Sequence, residues 1–155
     1  MIAILLNDAS FEQDIRELLM AFYPGETFTH KEEEAGEVEL IVRGVRDGNS
    51  FSLDVTPVKK EAVHFALIYP DFSNRFETKN EIKQTLYRLL SAQTGRELPW
   101  GTLTGIRPTK IALTKLYDGW TDEQIETYMR ETYFTSKEKI DLSIDVAERE
   151  RRLLS

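Results

Sequence analysis

The sequence predicts an α+β fold: an antiparallel sheet packed on one or two helices, followed by a small helical subdomain. Three observations carry this. Short apolar runs with period-two alternation crowd the first 70 residues. One long stretch of helical period follows them, and after it every apolar pattern has helical spacing. The order of elements read along the chain is β-α-β-β-β-β-α and then three shorter helical segments. That order segregates strands from helices rather than alternating them.

Met1 to Leu6 is apolar and rich in strand formers, and Asn7-Asp8 ends it. Ser10 is placed to cap the next helix, with Gln13 three residues on completing a capping box. Phe11, Ile15, Leu18, Leu19 and Phe22 then recur at helical spacing, and Pro24-Gly25 stops the helix. Glu26 to His30 reads as a short strand and Lys31 to Glu34 as a solvated charged loop. Val38 to Arg46 and Phe51 to Thr56 form the clearest hairpin. Asp47-Gly48-Asn49 offers the left-handed angles of a tight turn, and Phe51, Leu53 and Val55 alternate with Ser52, Asp54 and Thr56. Val63 to Tyr69 is a further strand, closed by Pro70. Lys79 to Thr94 is a helix with Ile82, Leu86, Leu89 and Leu90 on one face, and Gly95 suits the position after its end.

Helices are predicted over Thr109 to Leu116, Asp122 to Thr132 and Ser136 to Leu154. Thr121 with Gln124, and Thr135 with Glu138, supply capping boxes for the last two. Trp120, just before Thr121, is placed as a hydrophobic staple against Ile125. Ile140, Ile144, Ala147 and Leu154 share one face. The break between the α+β part (residues 1–95) and the helical part (residues 96–155) falls near Gly95 to Gly101.

Composition narrows the function classes. The 155 residues are 41% hydrophobic and 30% charged, with net charge −7 and no cysteine. Without thiolates there is no disulfide and no cysteine metal site. His30 and His64 lie apart with no ligand spacing, so neither a metal nor a catalytic residue is expected in this chain. No apolar run reaches membrane-span length, and the first residues lack a signal peptide's basic start, so a cytoplasmic location is expected. The acidic balance disfavours nucleic acid as a partner, because phosphate binding needs a cationic face. Residues 96 to 119 depart from that balance, with four bases against two acids.

That island contains the densest motif, Leu-Pro-Trp-Gly-Thr-Leu-Thr-Gly-Ile-Arg-Pro-Thr-Lys at residues 98 to 110. Gly101 and Gly105 allow backbone angles or close approaches that other residues resist. Pro99 and Pro108 fix φ, and Pro108 suits the first turn of a helix. Arg107 is then expected just outside that helix's N-terminus, with Thr109 and Lys110 in its first turn, where amides and cations favour an anion. Trp100, Gly101, Thr104, Gly105, Arg107, Thr109 and Lys110 are therefore candidates for anion binding or domain docking. Arg107 and Lys110 also have a plain reading, as a clamp on loop carbonyls and a solvated helix residue. Docking is preferred, since it accounts for the glycines, the prolines and Trp100 without a ligand. Trp100 is read as filling the joint between two packed units rather than as a ligand platform.

The same residues carry a family resemblance. The run from Leu98 to Lys110, with Tyr133-Phe134-Thr135-Ser136-Lys137-Glu138-Lys139-Ile140 further on, resembles the N-terminal region of bacterial radical SAM proteins of the coproporphyrinogen dehydrogenase, or oxygen-independent coproporphyrinogen III oxidase-like, family. The resemblance covers about Lys83 to Leu154; over residues 1 to 70 only the order of elements matches. It implies porphyrin and haem biosynthesis. The reaction would be oxidative decarboxylation of two propionates of coproporphyrinogen III, started by a 5′-deoxyadenosyl radical. It implies a [4Fe–4S] cluster and S-adenosylmethionine in the full-length parent, held on a Cys-x3-Cys-x2-Cys loop. This chain has no cysteine for such a cluster. The chain is accordingly expected to be a noncatalytic accessory domain. Its partners would be the catalytic domain of the same polypeptide and, through the cationic loop, an anionic porphyrinogen. A protein-interaction module working through an exposed sheet edge, and an RNA-binding module, are the alternatives.

Overall fold

The computed structural model describes residues 1–31, 38–59, 63–104 and 108–154, and is α+β. The expected acidic run Glu32 to Glu34 lies outside the described residues. The chain divides into two compact units, Met1–Arg96 and Glu97–Ser155.

In the first unit, β1 (Ile2–Leu6), α1 (Glu12–Phe22), β2 (Phe28–Thr29), β3 (Leu40–Asp47), β4 (Ser50–Pro57), β5 (His64–Ile68) and α2 (Arg75–Thr94) build one sheet of order β2-β1-β3-β4-β5 with two helices. The β3–β4 hairpin pairs Asp47 with Ser50 across Gly48-Asn49. Gly48 has φ +61° and Asn49 is not left-handed, the sign pattern of a turn with glycine at its first central position. Alternation along β4 sets the core: Phe51, Leu53 and Val55 are fully buried, while Ser52, Asp54 and Thr56 face the other side. Val42 lies opposite Val55, and Gly44 opposite Leu53. A Cβ at Gly44 would come within 2.7 Å of the Leu6 side-chain end and 3.1 Å of the Phe51 ring, so the Leu6 methyl would have to move aside. Ile15, Leu18, Leu19 and Phe22 of α1, and Ile82, Leu86 and Leu90 of α2, close over this face with no exposure. Each such side chain contributes about 1.5–3 kcal/mol by leaving water.

Three local readings need correction. The sheet is mixed rather than wholly antiparallel: β1 runs parallel to both β2 and β3. The cause is connectivity, since α1 carries the chain back along the sheet between β1 and β2, as a parallel pair requires. Ser10 does not cap α1. It lies in a 3-10 turn (Ala9–Phe11), and Asp8 caps that turn by accepting the Ser10 N–H at 3.0 Å. The helix α2 starts at Arg75, not Lys79, because Asn74 accepts the Glu77 N–H at 3.1 Å and Thr78 donates its hydroxyl to the Asp71 carbonyl. At its other end Gly95 is left-handed as expected, with φ +70°.

Charge is also buried here. Asp14 on α1 and Lys83 on α2 are both largely buried, and Lys79 Nζ sits 3.5 Å from Asp14. Burial pushes the Lys83 ammonium below its ordinary value, while Asp14 and Glu17 hold it up.

In the second unit α3 (Thr109–Tyr117), α4 (Asp122–Tyr133) and α5 (Lys137–Leu154) enclose Ala112, Leu116, Ile125, Met129, Ile140, Ile144 and Ala147. Thr121 and Gln124 form the capping box read from the sequence, and Trp120 packs on the cluster that contains Ile125. Leu154 does not join the α5 face. It is exposed at the end of the helix. Among the described residues no helix is long and apolar enough to cross a membrane.

Candidate functional site

Five of the seven candidate residues are described, and they separate into three groups. Trp100 and Gly101 form a turn, Thr104 follows in irregular backbone, and Thr109 and Lys110 open α3. Gly105 and Arg107 lie outside the described residues.

The turn is built by its own sequence. Pro99 precedes Trp100, and the Gly101 N–H returns to the Leu98 carbonyl at 2.9 Å. Gly101 is buried with φ +64°, a conformation that glycine adopts without penalty. A Cβ at this position would collide with the backbone carbonyls of Tyr133 and Phe134. Glycine is therefore required twice, once for the angle and once for the approach.

That approach brings together the two stretches on which the resemblance rests. Thr102 donates its N–H to the Tyr133 carbonyl at 2.7 Å, and its hydroxyl reaches the same oxygen at 3.3 Å. The Ser136 N–H donates to the Pro99 carbonyl at 2.8 Å. The Thr135 hydroxyl donates to the Trp100 carbonyl at 3.1 Å. Four hydrogen bonds thus lace residues 99–102 to the junction between α4 and α5. Thr102 and Thr135 are each 2% exposed, so these polar groups have exchanged water for one another. Phe134 turns the corner with φ +58°, the one non-glycine left-handed residue among those described.

This arrangement corrects the second capping reading. Thr135 is committed to Trp100, and Ser136 caps α5 instead, its hydroxyl accepting the Lys139 N–H at 3.3 Å. In this same first turn of α5, Lys139 carries its ammonium over the Trp100 ring, 5.5 Å from the centroid. Trp100 itself is only half-buried. Behind the turn, Tyr133 is buried beside Tyr128, the two hydroxyls 3.4 Å apart. Burial pushes the Tyr133 phenol far above its ordinary value, and the Tyr128 hydroxyl adds to the rise. Tyr133, Thr135 and Lys139 did not stand out as site residues in the sequence, although all three lie in the second stretch of the resemblance.

On the α3 side, Pro108 takes the position before the first helical residue with φ −64° and makes no side-chain cap. The residue type explains this, since proline has no side-chain acceptor and its own missing N–H falls where a helix leaves amides unpaired. Thr109 is half-buried and Lys110 exposed in the first turn. Among the described residues no cluster of histidine, aspartate and glutamate is placed to hold a metal. The turn offers a rigid mount, a half-open indole and a cation beside it.

No known family profile matches the chain, and no solved structure matches it. One curated protein does: the oxygen-independent coproporphyrinogen-III oxidase-like protein HemZ of Bacillus subtilis (strain 168), 35% identical over 98 residues. The aligned part takes in 61% of this chain and 19% of that protein. The chain is therefore similar in sequence to a coproporphyrinogen-III oxidase-like protein over most of its own length, and spans about a fifth of the relative's.

Proposed function

We propose that this chain is a noncatalytic accessory domain of a radical SAM protein of the coproporphyrinogen III oxidase-like kind, in porphyrin and haem biosynthesis. Its residues 98–110 would serve the catalytic domain of the same polypeptide. The observation that supports this most is the similarity to the oxidase-like protein, joined to a turn whose every backbone device is spent on rigidity. A segment held this firmly by Gly101, Thr102 and Thr135 presents Trp100 at a fixed place. Fixed presentation is what a docking surface or a guide for an anionic macrocycle needs. The [4Fe–4S] cluster and S-adenosylmethionine belong, in this reading, to the catalytic domain. A cluster needs thiolates, and this chain has none to give.

The test is made on the whole gene product, purified without oxygen. It should carry a cysteine triad beyond residue 155, show cluster absorbance and cleave S-adenosylmethionine reductively. A gene product without the triad and without cluster absorbance would overturn the reading.

A further inference from the structure

The two edges of the sheet are treated differently. At one end β2 is two residues long, and Arg16 lies over the Phe28 ring at 5.5 Å. A short edge guarded by a cation is a usual way to prevent strand addition. At the other end β5 pairs with β4 on one side and with no strand of the described sheet on the other. From Val63 to Tyr69 there is no aspartate, glutamate, lysine or arginine and no proline.

Alternation then exposes an apolar stripe on this unguarded edge. Val63 is 57% exposed, Phe65 62%, Leu67 47% and Tyr69 66%. Phe65 lies opposite Asp54 and Leu67 opposite Ser52, so the stripe is on the sheet face away from α1 and α2. Across Ser52, Val45 extends it, also exposed. The open edge and the apolar stripe are independent features, one of backbone and one of side chains, and they coincide.

We infer that β5 is a pairing edge and that its occupant is a second copy of this chain, adding antiparallel about a twofold near Ala66. Antiparallel pairing there sets Phe65 opposite Leu67 of the second copy and Val63 opposite Tyr69, so each bulky residue meets a smaller one. Each chain carries a net charge of −7. A neutral seven-residue edge is therefore a place where two copies can meet without setting like charges against each other. The four side chains bring on the order of 400 Å² per copy, which corresponds to a weak, concentration-dependent dimer rather than an obligate one. The pairing does not depend on any role of residues 98–110.

Sedimentation of the chain from roughly 5 to 500 μM decides it, a range that brackets weak association of this size. The average mass should rise from one chain toward two. Phe65→Lys with Leu67→Lys should hold the mass at one chain throughout, with an unchanged circular dichroism melt. The milder Phe65→Thr with Leu67→Thr should weaken association at least about tenfold if the lysine pair misfolds. Met20→Lys, on an exposed residue of α1, should leave association unchanged. A chain that stays monomeric at every concentration overturns the inference, and so does a dimer that the threonine pair leaves intact. A monomer that instead binds a synthetic extended apolar peptide also overturns it, and would assign the edge to a foreign strand.

Discussion

Replacing Gly101 by alanine should unfold the second unit far more readily than replacing any other left-handed glycine. At φ +64° an alanine adds about 1–2 kcal/mol of backbone penalty. Its methyl would also collide with the Tyr133 and Phe134 carbonyls, which are backbone and cannot rotate away. The two segments must then separate. Separation stretches or breaks the Thr102 N–H bond of 2.7 Å and the Thr102 hydroxyl bond of 3.3 Å, each worth about 0.5–1.5 kcal/mol. The total is about 2–5 kcal/mol, a loss of roughly one and a half to three and a half orders of magnitude in the folding constant. Gly119→Ala is the matched control: its φ is +84°, but nothing lies within 4 Å of the added Cβ, so only the backbone penalty of about 1–2 kcal/mol applies. Urea unfolding followed by tryptophan fluorescence reads this unit, because both tryptophans, Trp100 and Trp120, belong to it. If Gly101→Ala is no more destabilising than Gly119→Ala, the close approach at the α4–α5 junction is refuted.

Thr135→Val should destabilise by about 1–3 kcal/mol, because it leaves the Trp100 carbonyl without this donor, while Ser136→Ala should lose only a cap of about 1 kcal/mol; equal effects in urea titrations would contradict the exchange of roles between the two hydroxyls. Lys83 has a folded pKa below its unfolded 10.5, so the native state releases this proton first and stability should rise as pH climbs through the folded pKa toward 10.5. Lys83→Met should flatten that rise, measured below pH 10 before the tyrosines titrate; an unchanged slope would show that Lys83 is not the source. Anaerobic incubation with iron and sulfide should give this chain no cluster absorbance, and a stoichiometric cluster would defeat the thiolate argument.

Features set by neighbours in sequence were legible, and those set by distant partners were not. The β3–β4 hairpin could be read because alternation and an Asp-Gly-Asn turn lie within a few residues of each other. The Thr121–Gln124 box could be read for the same reason. At Thr135-Ser136, however, either hydroxyl satisfies the local rule, and the choice is made by the Trp100 carbonyl 35 residues away. Strand direction is likewise a long-range property, so the parallel placement of β1 left no local trace. The start of α2 was missed because Arg75 to Thr78 carry no apolar period, although Asn74 was there as a cap. At the candidate site the sequence marked Gly101 as a residue of special backbone. That its neighbour is the Tyr133–Phe134 corner could come only from the fold.

The most direct test of the account sets this chain beside the full-length protein. Arg107→Ala and Lys110→Ala are made in both. If residues 98–110 serve a catalytic domain, the anionic partners of these two cations lie outside this chain. The isolated chain should then unfold within about 0.5 kcal/mol of the parent sequence, as surface substitutions do. The full-length variants should lose activity or domain association at least about tenfold, the scale of one lost charge-assisted contact. Chains destabilised by roughly 1–3 kcal/mol, with normal activity in the full-length protein, would make these residues internal clamps and contradict the proposed function.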